Sequence, residues 1–137
     1  MIWTTGDPEA TRRVGEALAA ELAPDGVLLL SGDLGAGKTV LAQGVARGLG
    51  IDPAEVQSPT FTLIREHRGP HTSLLHVDLY RLESADVEGL GLEELLAGPG
   101  VKVVEWAERL AFQVPGARHL TLRRAGGGEG REIVEEG

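Results

Sequence analysis

The 137-residue sequence contains no cysteine. This absence excludes disulfides, thiolate metal sites and a cysteine nucleophile. Apolar runs are short, and the continuous one at Val27–Leu30 is far below the roughly 20 residues that a membrane-spanning helix needs. A secretory leader is not recognisable either, because polar residues follow Met1-Ile2-Trp3 at once. These absences predict a cytoplasmic protein that does not engage a membrane.

Positive charge is also scarce, since 13 lysines and arginines stand against 21 aspartates and glutamates, which gives a net charge of −8. Proteins that bind nucleic acid directly usually display a basic stripe, because neutralising phosphates supplies much of the affinity. Here the basic residues form only small clusters among carboxylates: Arg12-Arg13, Arg65 with Arg68, and Arg123-Arg124. We therefore expect any involvement with RNA to pass through a protein partner.

Helical and strand patterns alternate along the chain. Asp7-Pro8-Glu9 is typical of a helix start, and apolar residues recur at helical spacing from Ala10 to Leu22. Val27–Leu30 predicts a strand that is covered on both faces. The other predicted elements are a strand at 1–5, a helix at 38–49, a loop at 51–59, a hairpin at 60–67 and 73–80, two short helices at 84–97, a buried strand at 101–105, and a hairpin at 118–124 and 131–135.

A glycine-rich segment lies between the buried strand and the helix at 38–49. Gly32-Asp33-Leu34-Gly35-Ala36-Gly37-Lys38-Thr39 fits the phosphate-loop pattern G-x-x-x-x-G-K-[ST]. Glycines let backbone N–H groups turn toward phosphates, the lysine reaches the β and γ phosphates, and the threonine hydroxyl serves Mg²⁺. We therefore predict a nucleotide site in a single α/β domain over 1–137. Its expected fold is a P-loop NTPase-like three-layer domain with a mixed, mostly parallel central sheet and a C-terminal β-hairpin.

Two acidic residues end apolar strands, where magnesium sites of this kind usually take a carboxylate. Asp78 closes Leu74-Leu75-His76-Val77, and Glu105 closes Val101–Val104. Ligands bind at the carboxyl edge of open α/β sheets, so both acids are candidates. The spacing alone leaves open which acid touches the metal and which one orients a water.

Other polar and aromatic residues have two interpretations each. His76 is a packing residue or a neighbour of the metal site, and the four histidines lack a zinc-site spacing. Ser58-Pro59-Thr60 is a γ-phosphate sensor or a plain turn. Trp106 packs in the core, or contacts the base or a partner. Arg81 neutralises transition-state charge or forms a surface ion pair.

Taken together, these motifs resemble the bacterial TsaE family, also called YjeE. GDLGAGKT, SPTFTL, HVDLYRL, LGLEELL and VEWAERL occur in the family's order, and the resemblance covers residues 4 to 112. It implies ATP hydrolysis that resets or remodels a complex of TsaB and TsaD during threonylcarbamoyladenosine formation in tRNA. The tail beyond Val114 matches poorly and receives no role.

The resemblance also implies residue roles. Lys38 would bind phosphate, Thr39 and Glu105 would hold magnesium, and Asp78 would be the Walker-B-type acid. The complete expected set is as follows: catalytic residues Lys38, Asp78 and Glu105; metal residues Thr39, Asp78 and Glu105; and ATP-binding residues Asp7, Pro8 and Thr11 toward the base, with Gly32, Asp33, Leu34, Gly35, Ala36, Gly37, Lys38, Thr39 and Val40.

Three other functions remain as alternatives. A small-molecule kinase needs a substrate lid, for which 137 residues leave little room. A GTPase of the common type reads guanine with N-K-x-D, and this sequence contains no asparagine. A non-hydrolysing, nucleotide-dependent scaffold is compatible with the same motifs. No arginine finger occupies a fixed motif position, so we expect low basal turnover without partners.

Overall fold

A seven-stranded mixed sheet carries the fold in the computed structural model, which describes residues 1–57, 64–82 and 91–136. The strand order is β1-β7-β6-β2-β5-β4-β3. In chain order the elements are β1 (Ile2–Thr5), α1 (Pro8–Leu22), β2 (Val27–Ser31), α2 (Lys38–Gly48), β3 (Ile64–Arg68), β4 (Ser73–Asp78), α3 (Leu92–Leu96), β5 (Val101–Glu105), β6 (Arg118–Arg124) and β7 (Arg131–Glu136). Short 3₁₀ turns cover Pro53–Glu55 and Ala107–Arg109.

The centre of the sheet is parallel and its flanks are antiparallel. β2 pairs in parallel with both β5 and β6, and β4 pairs in parallel with β5. The hairpins β3–β4 and β6–β7 are antiparallel, as is the β1–β7 pair. The mixed α/β fold predicted from the sequence is therefore confirmed, and β2, β5 and β4 end at one common edge.

Helices cover both faces of the sheet. Alternate strand residues point to opposite faces, so Leu28 and Leu30 of β2 pack with α1 and α2 in one apolar cluster. Val77 of β4 and Val104 of β5 belong to a second cluster with α3. Burial on both faces explains why the sequences of β2 and β5 are almost continuously apolar.

The helix starts follow their local sequence. Asp7 caps α1, because its side chain accepts a hydrogen bond from the Ala10 N–H at 2.7 Å, and Pro8 occupies the first turn. α2 instead follows Gly37, whose φ of 103° lies in the left-handed region that favours glycine. The phosphate loop thus runs directly into the N-terminus of α2.

Some predictions fall outside the described residues. The corner Ser58-Pro59-Thr60 and the first of the two short helices predicted at 84–97 lie there, whereas the second corresponds to α3. Among the helices of the described ranges, none combines the length and the apolar character that a membrane crossing requires.

Candidate functional site

The glycine-rich loop and the end of β5 enclose a cavity of about 280 Å³. Its lining includes Gly37, Lys38 and Thr39 from the loop and α2, and Glu105 and Trp106 from the end of β5. β2 and β5 are hydrogen-bonded neighbours, which places the loop and the β5 carboxylate at the same edge of the sheet. The cavity therefore lies where the topology brings together the residues that the sequence motif singled out.

Lys38 turns its ammonium group back onto the loop. Its Nζ donates hydrogen bonds to the carbonyl oxygens of Gly32 at 2.5 Å and Asp33 at 2.8 Å. The same atom lies 4.1 Å from the ring centre of Trp106, which is cation–π geometry. Burial lowers the pKa of Lys38, while the nearby Glu105 carboxylate opposes that shift. The side chain is held in place by neutral groups that a phosphate could replace.

Glu105 connects α2 to the neighbouring strand. The Thr39 hydroxyl donates to both of its carboxylate oxygens, at 2.8 and 3.0 Å. His76 Nε2 lies 2.5 Å from Glu105 Oε2, and the His76 side chain is fully buried. A hydroxyl and a carboxylate in contact at a helix N-terminus are the oxygen ligands that Mg²⁺ prefers, with water and phosphate completing its shell. The residues present therefore fit a magnesium ion.

Asp78 stands beside Glu105, because the two residues are register partners in the parallel β4–β5 pair. Burial raises the pKa of Asp78, and the charge of Glu105 adds to that shift. One Asp78 carboxylate oxygen accepts a hydrogen bond from the Tyr80 N–H at 2.9 Å. This bond lowers the pKa of Asp78 and so opposes the effect of burial. No larger metal-binding cluster occurs in the described ranges, where no group of three or more acids or histidines is placed to hold an ion.

Trp106 adopts an unusual backbone conformation directly after Glu105. Its φ is 61°, a left-handed value that is strained for an aromatic residue. The ring packs against Tyr80, with centroids 4.9 Å apart, and against the Lys38 ammonium. This conformation turns the indole over the cavity, so Trp106 belongs to the site as well as to the packing around α3.

The segment expected to approach the nucleotide base lies beside the cavity and does not line it. Asp7 is exposed and is used as the α1 cap, while Pro8 is half-buried in the first turn. Thr11 is buried, and its hydroxyl contacts the Thr5 hydroxyl at 2.7 Å. Thr5 in turn pairs with Arg131 of β7, which does line the cavity.

Sequence reasoning missed two arginines of the C-terminal hairpin. Arg131 Nη2 donates to the Gly35 carbonyl oxygen at 3.0 Å, across 96 positions of the chain. A Cβ atom at Gly35 would lie 2.5 Å from Arg124 Nη2, so this guanidinium also touches the loop. Unlike Lys38, these arginines belong to no recognisable motif. They lie near the phosphate loop because β6 pairs with β2, the strand that precedes the loop.

A larger cavity lies at the opposite edge of the sheet, with a volume of about 780 Å³. The buried Lys102 lines it and donates to the carbonyl oxygens of Asp25 and Gly98. Burial lowers the pKa of this lysine. It takes no part in the arrangement around the phosphate loop.

Comparison with known proteins gives one consistent result. The profile of the family described as "Threonylcarbamoyl adenosine biosynthesis protein TsaE" matches residues 5–133. The tRNA threonylcarbamoyladenosine biosynthesis protein TsaE of Bacillus subtilis is 46% identical over 133 residues, which cover 96% of this chain and 82% of that protein. The Synechocystis protein of the same name is 48% identical over 108 residues, 76% of this chain and 68% of that one.

A solved structure agrees with these sequence matches. The crystal structure of Bacillus subtilis YdiB superposes with a TM-score of 0.77 at 40% sequence identity. The match covers 97% of this chain and 82% of that one. The shared fold thus extends over the phosphate loop and over the C-terminal hairpin.

Proposed function

This chain belongs to the TsaE family of tRNA threonylcarbamoyladenosine biosynthesis proteins, and from that premise we propose that it is an ATPase of this modification. It binds ATP with Mg²⁺ at the phosphate loop. Hydrolysis resets or remodels a complex of TsaB and TsaD between turnovers, and tRNA is reached only through these partners. We expect the protein to act in the cytoplasm.

The observation that carries the proposal is the joined arrangement of Lys38, Thr39 and Glu105. One ammonium group and one hydroxyl–carboxylate pair face the same cavity, at the N-terminus of α2. Backbone N–H groups at such a terminus favour an anion, and the loop before it bends round phosphates. A polyphosphate with a divalent cation matches both halves of this arrangement.

Each residue then has a definite part in hydrolysis. Lys38 exchanges the carbonyl oxygens of Gly32 and Asp33 for the β and γ phosphates, and it neutralises their charge. Thr39 and Glu105 hold the magnesium ion, which supplies charge neutralisation at the phosphates when bound. The catalytic gain comes from positioning and electrostatics, with water as the acceptor.

Asp78 and His76 complete the carboxylate side of the site. His76 fixes the orientation of the Glu105 carboxylate through its buried contact. Asp78, adjacent in register, orients a water in the magnesium shell or the attacking water. Because Glu105 has the direct contact with Thr39, we assign it the inner position and Asp78 the outer one.

The test is a reconstituted threonylcarbamoylation reaction that contains TsaB, TsaD, tRNA, ATP and an activated threonylcarbamoyl donor, with the wild-type chain, Lys38→Ala or Glu105→Gln. We expect both variants to lose phosphate release by about a hundredfold and to lose support of tRNA modification. Glu94→Gln, which changes an exposed acid on α3, serves as the matched control. Undiminished modification with Lys38→Ala would reject the proposed role of hydrolysis.

The same reaction separates the ATPase from a small-molecule kinase. With ATP labelled at the γ-phosphate, an ATPase places all of the label in free phosphate. A kinase transfers the label to an organic acceptor instead. A labelled acceptor would therefore favour the alternative, and nucleotide binding without any phosphate release would favour a scaffold.

A further inference from the structure

Lys102 is a charged residue near the centre of the sheet, where its neighbours are apolar. It is one of two lysines in the chain, and it interrupts the valines of β5. Its register partners are Val27 of β2 and Leu75 of β4, and the residue is only 1% exposed. Burying an ammonium group in such a position is costly unless polar groups surround it. Lys102 lies at the edge of the sheet opposite to the phosphate loop, so nucleotide binding does not explain it.

The Lys102 ammonium group has two hydrogen-bond partners and one donor left over. Its Nζ donates to the carbonyl oxygens of Asp25 at 2.8 Å and Gly98 at 2.5 Å. An ammonium group carries three donors, and these two bonds are the ones that Nζ makes among the residues that the structure describes. The third N–H can therefore serve an acceptor inside the cavity of about 780 Å³ that Lys102 lines.

This cavity has the size and the lining of a small-molecule site. Ligand pockets of about 300–1,000 Å³ are typical, with mostly apolar walls and a few polar groups. The cavity lies between the start of β2, the C-terminal end of α3 and residues 112–116. The apolar residues that line it are Val27, Leu96, Pro99, Phe112, Val114 and Pro115. A buried cationic donor in an apolar cavity matches a ligand that has one acidic group and a hydrocarbon body.

Two acidic residues line the same cavity, and neither forms an ion pair with Lys102 in the described ranges. One Asp25 carboxylate oxygen accepts a hydrogen bond from the Gly100 N–H at 2.8 Å, and Glu93 is exposed on α3. Burial lowers the pKa of Lys102, and the charge of Asp25 opposes that shift only in part. A carboxylate at the third N–H would stabilise the ammonium form further. Charge complementarity at Nζ thus favours an anionic ligand.

We infer that the cavity binds a small monocarboxylate with an apolar body. The ligand carboxylate accepts a hydrogen bond from Lys102 Nζ, and the hydrocarbon part packs against Leu96, Phe112 and Val114. This inference is independent of the proposed function, because the cavity and the phosphate loop lie at opposite edges of the sheet.

The experiment is titration of octanoate, octanol and octylammonium into the isotopically labelled chain, followed through amide chemical shifts by NMR. The probes share one hydrocarbon chain and differ in the charge of the head group. We expect octanoate to shift the amides of Gly98 and Gly116, which line the cavity, and to leave Gly37 of the phosphate loop unchanged. Octanol and octylammonium should bind at least about tenfold more weakly, because neither offers a charged acceptor to Lys102.

Two variants test the cavity from both sides. Lys102→Met removes the ammonium group and keeps a long apolar side chain, so octanoate should lose at least about tenfold in affinity. Ala97→Phe fills the cavity from an exposed lining position and keeps Lys102, so all three probes should bind more weakly. Leu95→Phe is the matched control, because Leu95 is exposed on the same helix and lies outside the lining. It should bind octanoate like the wild type.

A folded wild-type chain that shows no such shifts with octanoate would overturn the inference, as would octylammonium binding that is as tight as octanoate binding. Undiminished octanoate affinity in Lys102→Met would show that the cavity selects for apolar surface alone, which also contradicts it. If Lys102→Met does not fold, the comparison of the three probes in the wild type and in Ala97→Phe decides the question.

Discussion

At the scale of one residue, Asp78 is a member of the candidate site whose ionised side chain lowers the stability of the fold. Its side chain is buried beside the Glu105 carboxylate, and burial raises its pKa from the ordinary value of 3.8. A carboxyl with a raised pKa favours folding when protonated, so its contribution is fully present below the unfolded pKa. That contribution is lost as the pH rises through the folded pKa. The ionised form of Asp78 therefore destabilises the unliganded protein relative to the protonated form.

Asp78→Asn should consequently stabilise the nucleotide-free chain while impairing phosphate release. We expect the free energy of unfolding at pH 7.5 to rise by about 1 kcal/mol, because the amide keeps the hydrogen bond from Tyr80 without the buried charge. The gain should shrink as the pH is lowered from 7.5 to 4, because a smaller fraction of Asp78 is ionised at the lower pH. Urea unfolding at the two pH values measures both numbers.

The exposed acid Glu129 in the hairpin turn provides the comparison. Glu129→Gln should change the unfolding free energy by less than about 0.5 kcal/mol at either pH. An Asp78→Asn variant that is less stable than wild type at pH 7.5 would show that the ionised carboxylate is well compensated in the fold.

The positions of single residues were predictable where a motif or the end of a strand marks them. Lys38, Thr39 and Glu105 face one cavity, which their spacing and strand-end positions anticipated. The sequence of β4 is compatible with His76 as a packing residue or as a neighbour of the metal site. Its contact with Glu105 depends on strand register, which local sequence does not reveal. Arg131 was missed, because its partner Gly35 is remote in sequence and the β6–β7 hairpin has no motif.

At the scale of elements, α1 and α2 pack closely through glycines. A Cβ at Gly15 would strike the carbonyl oxygen of Leu41, and a Cβ at Gly44 would strike that of Arg12. Arg47 of α2 further bonds Glu9 and Glu16 of α1. Because α2 begins at Lys38, the depth of this helix contact also fixes the position of the phosphate loop.

Gly44→Ala should therefore destabilise the chain, although alanine is the better helix former. The added methyl group forces the helix backbones apart, and we expect a net cost of about 1–3 kcal/mol. Gly127→Ala, in the hairpin turn with open space around it, is the matched control and should cost less than about 0.5 kcal/mol. Thermal unfolding of both variants gives the comparison. Equal stability of Gly44→Ala and Gly127→Ala would show that α1 and α2 can move apart without a measurable cost.

Element boundaries followed the sequence where capping residues and glycines mark them. The Asp7-Pro8 start of α1, the strand at 27–31 and the strand at 101–105 agree with the apolar runs and caps. The β4 end at Asp78 falls two residues before the predicted one. Leu79 and Tyr80 lie beyond the strand, because the parallel register of β4 with β5 ends at the Asp78–Glu105 pair.

At the scale of the whole molecule, four segments that are distant in sequence meet at one sheet edge. The phosphate loop follows β2, Asp78 ends β4, Glu105 ends β5, and Arg131 belongs to the C-terminal hairpin. Alternation of strands and helices predicted an α/β sheet, and the two hairpin patterns predicted that it is mixed. The strand order was not predictable in the same way, because long-range pairing leaves little trace in local composition.

Calorimetric titration of magnesium-ATP into the pure chain tests the central claim most directly. We expect saturation at one nucleotide per chain in the wild type. In Lys38→Ala, loss of the ammonium–phosphate contact should weaken affinity by at least about tenfold. Absence of binding heat from a folded wild-type chain across a range of temperatures, or undiminished affinity in Lys38→Ala, would contradict an ATP site at this loop.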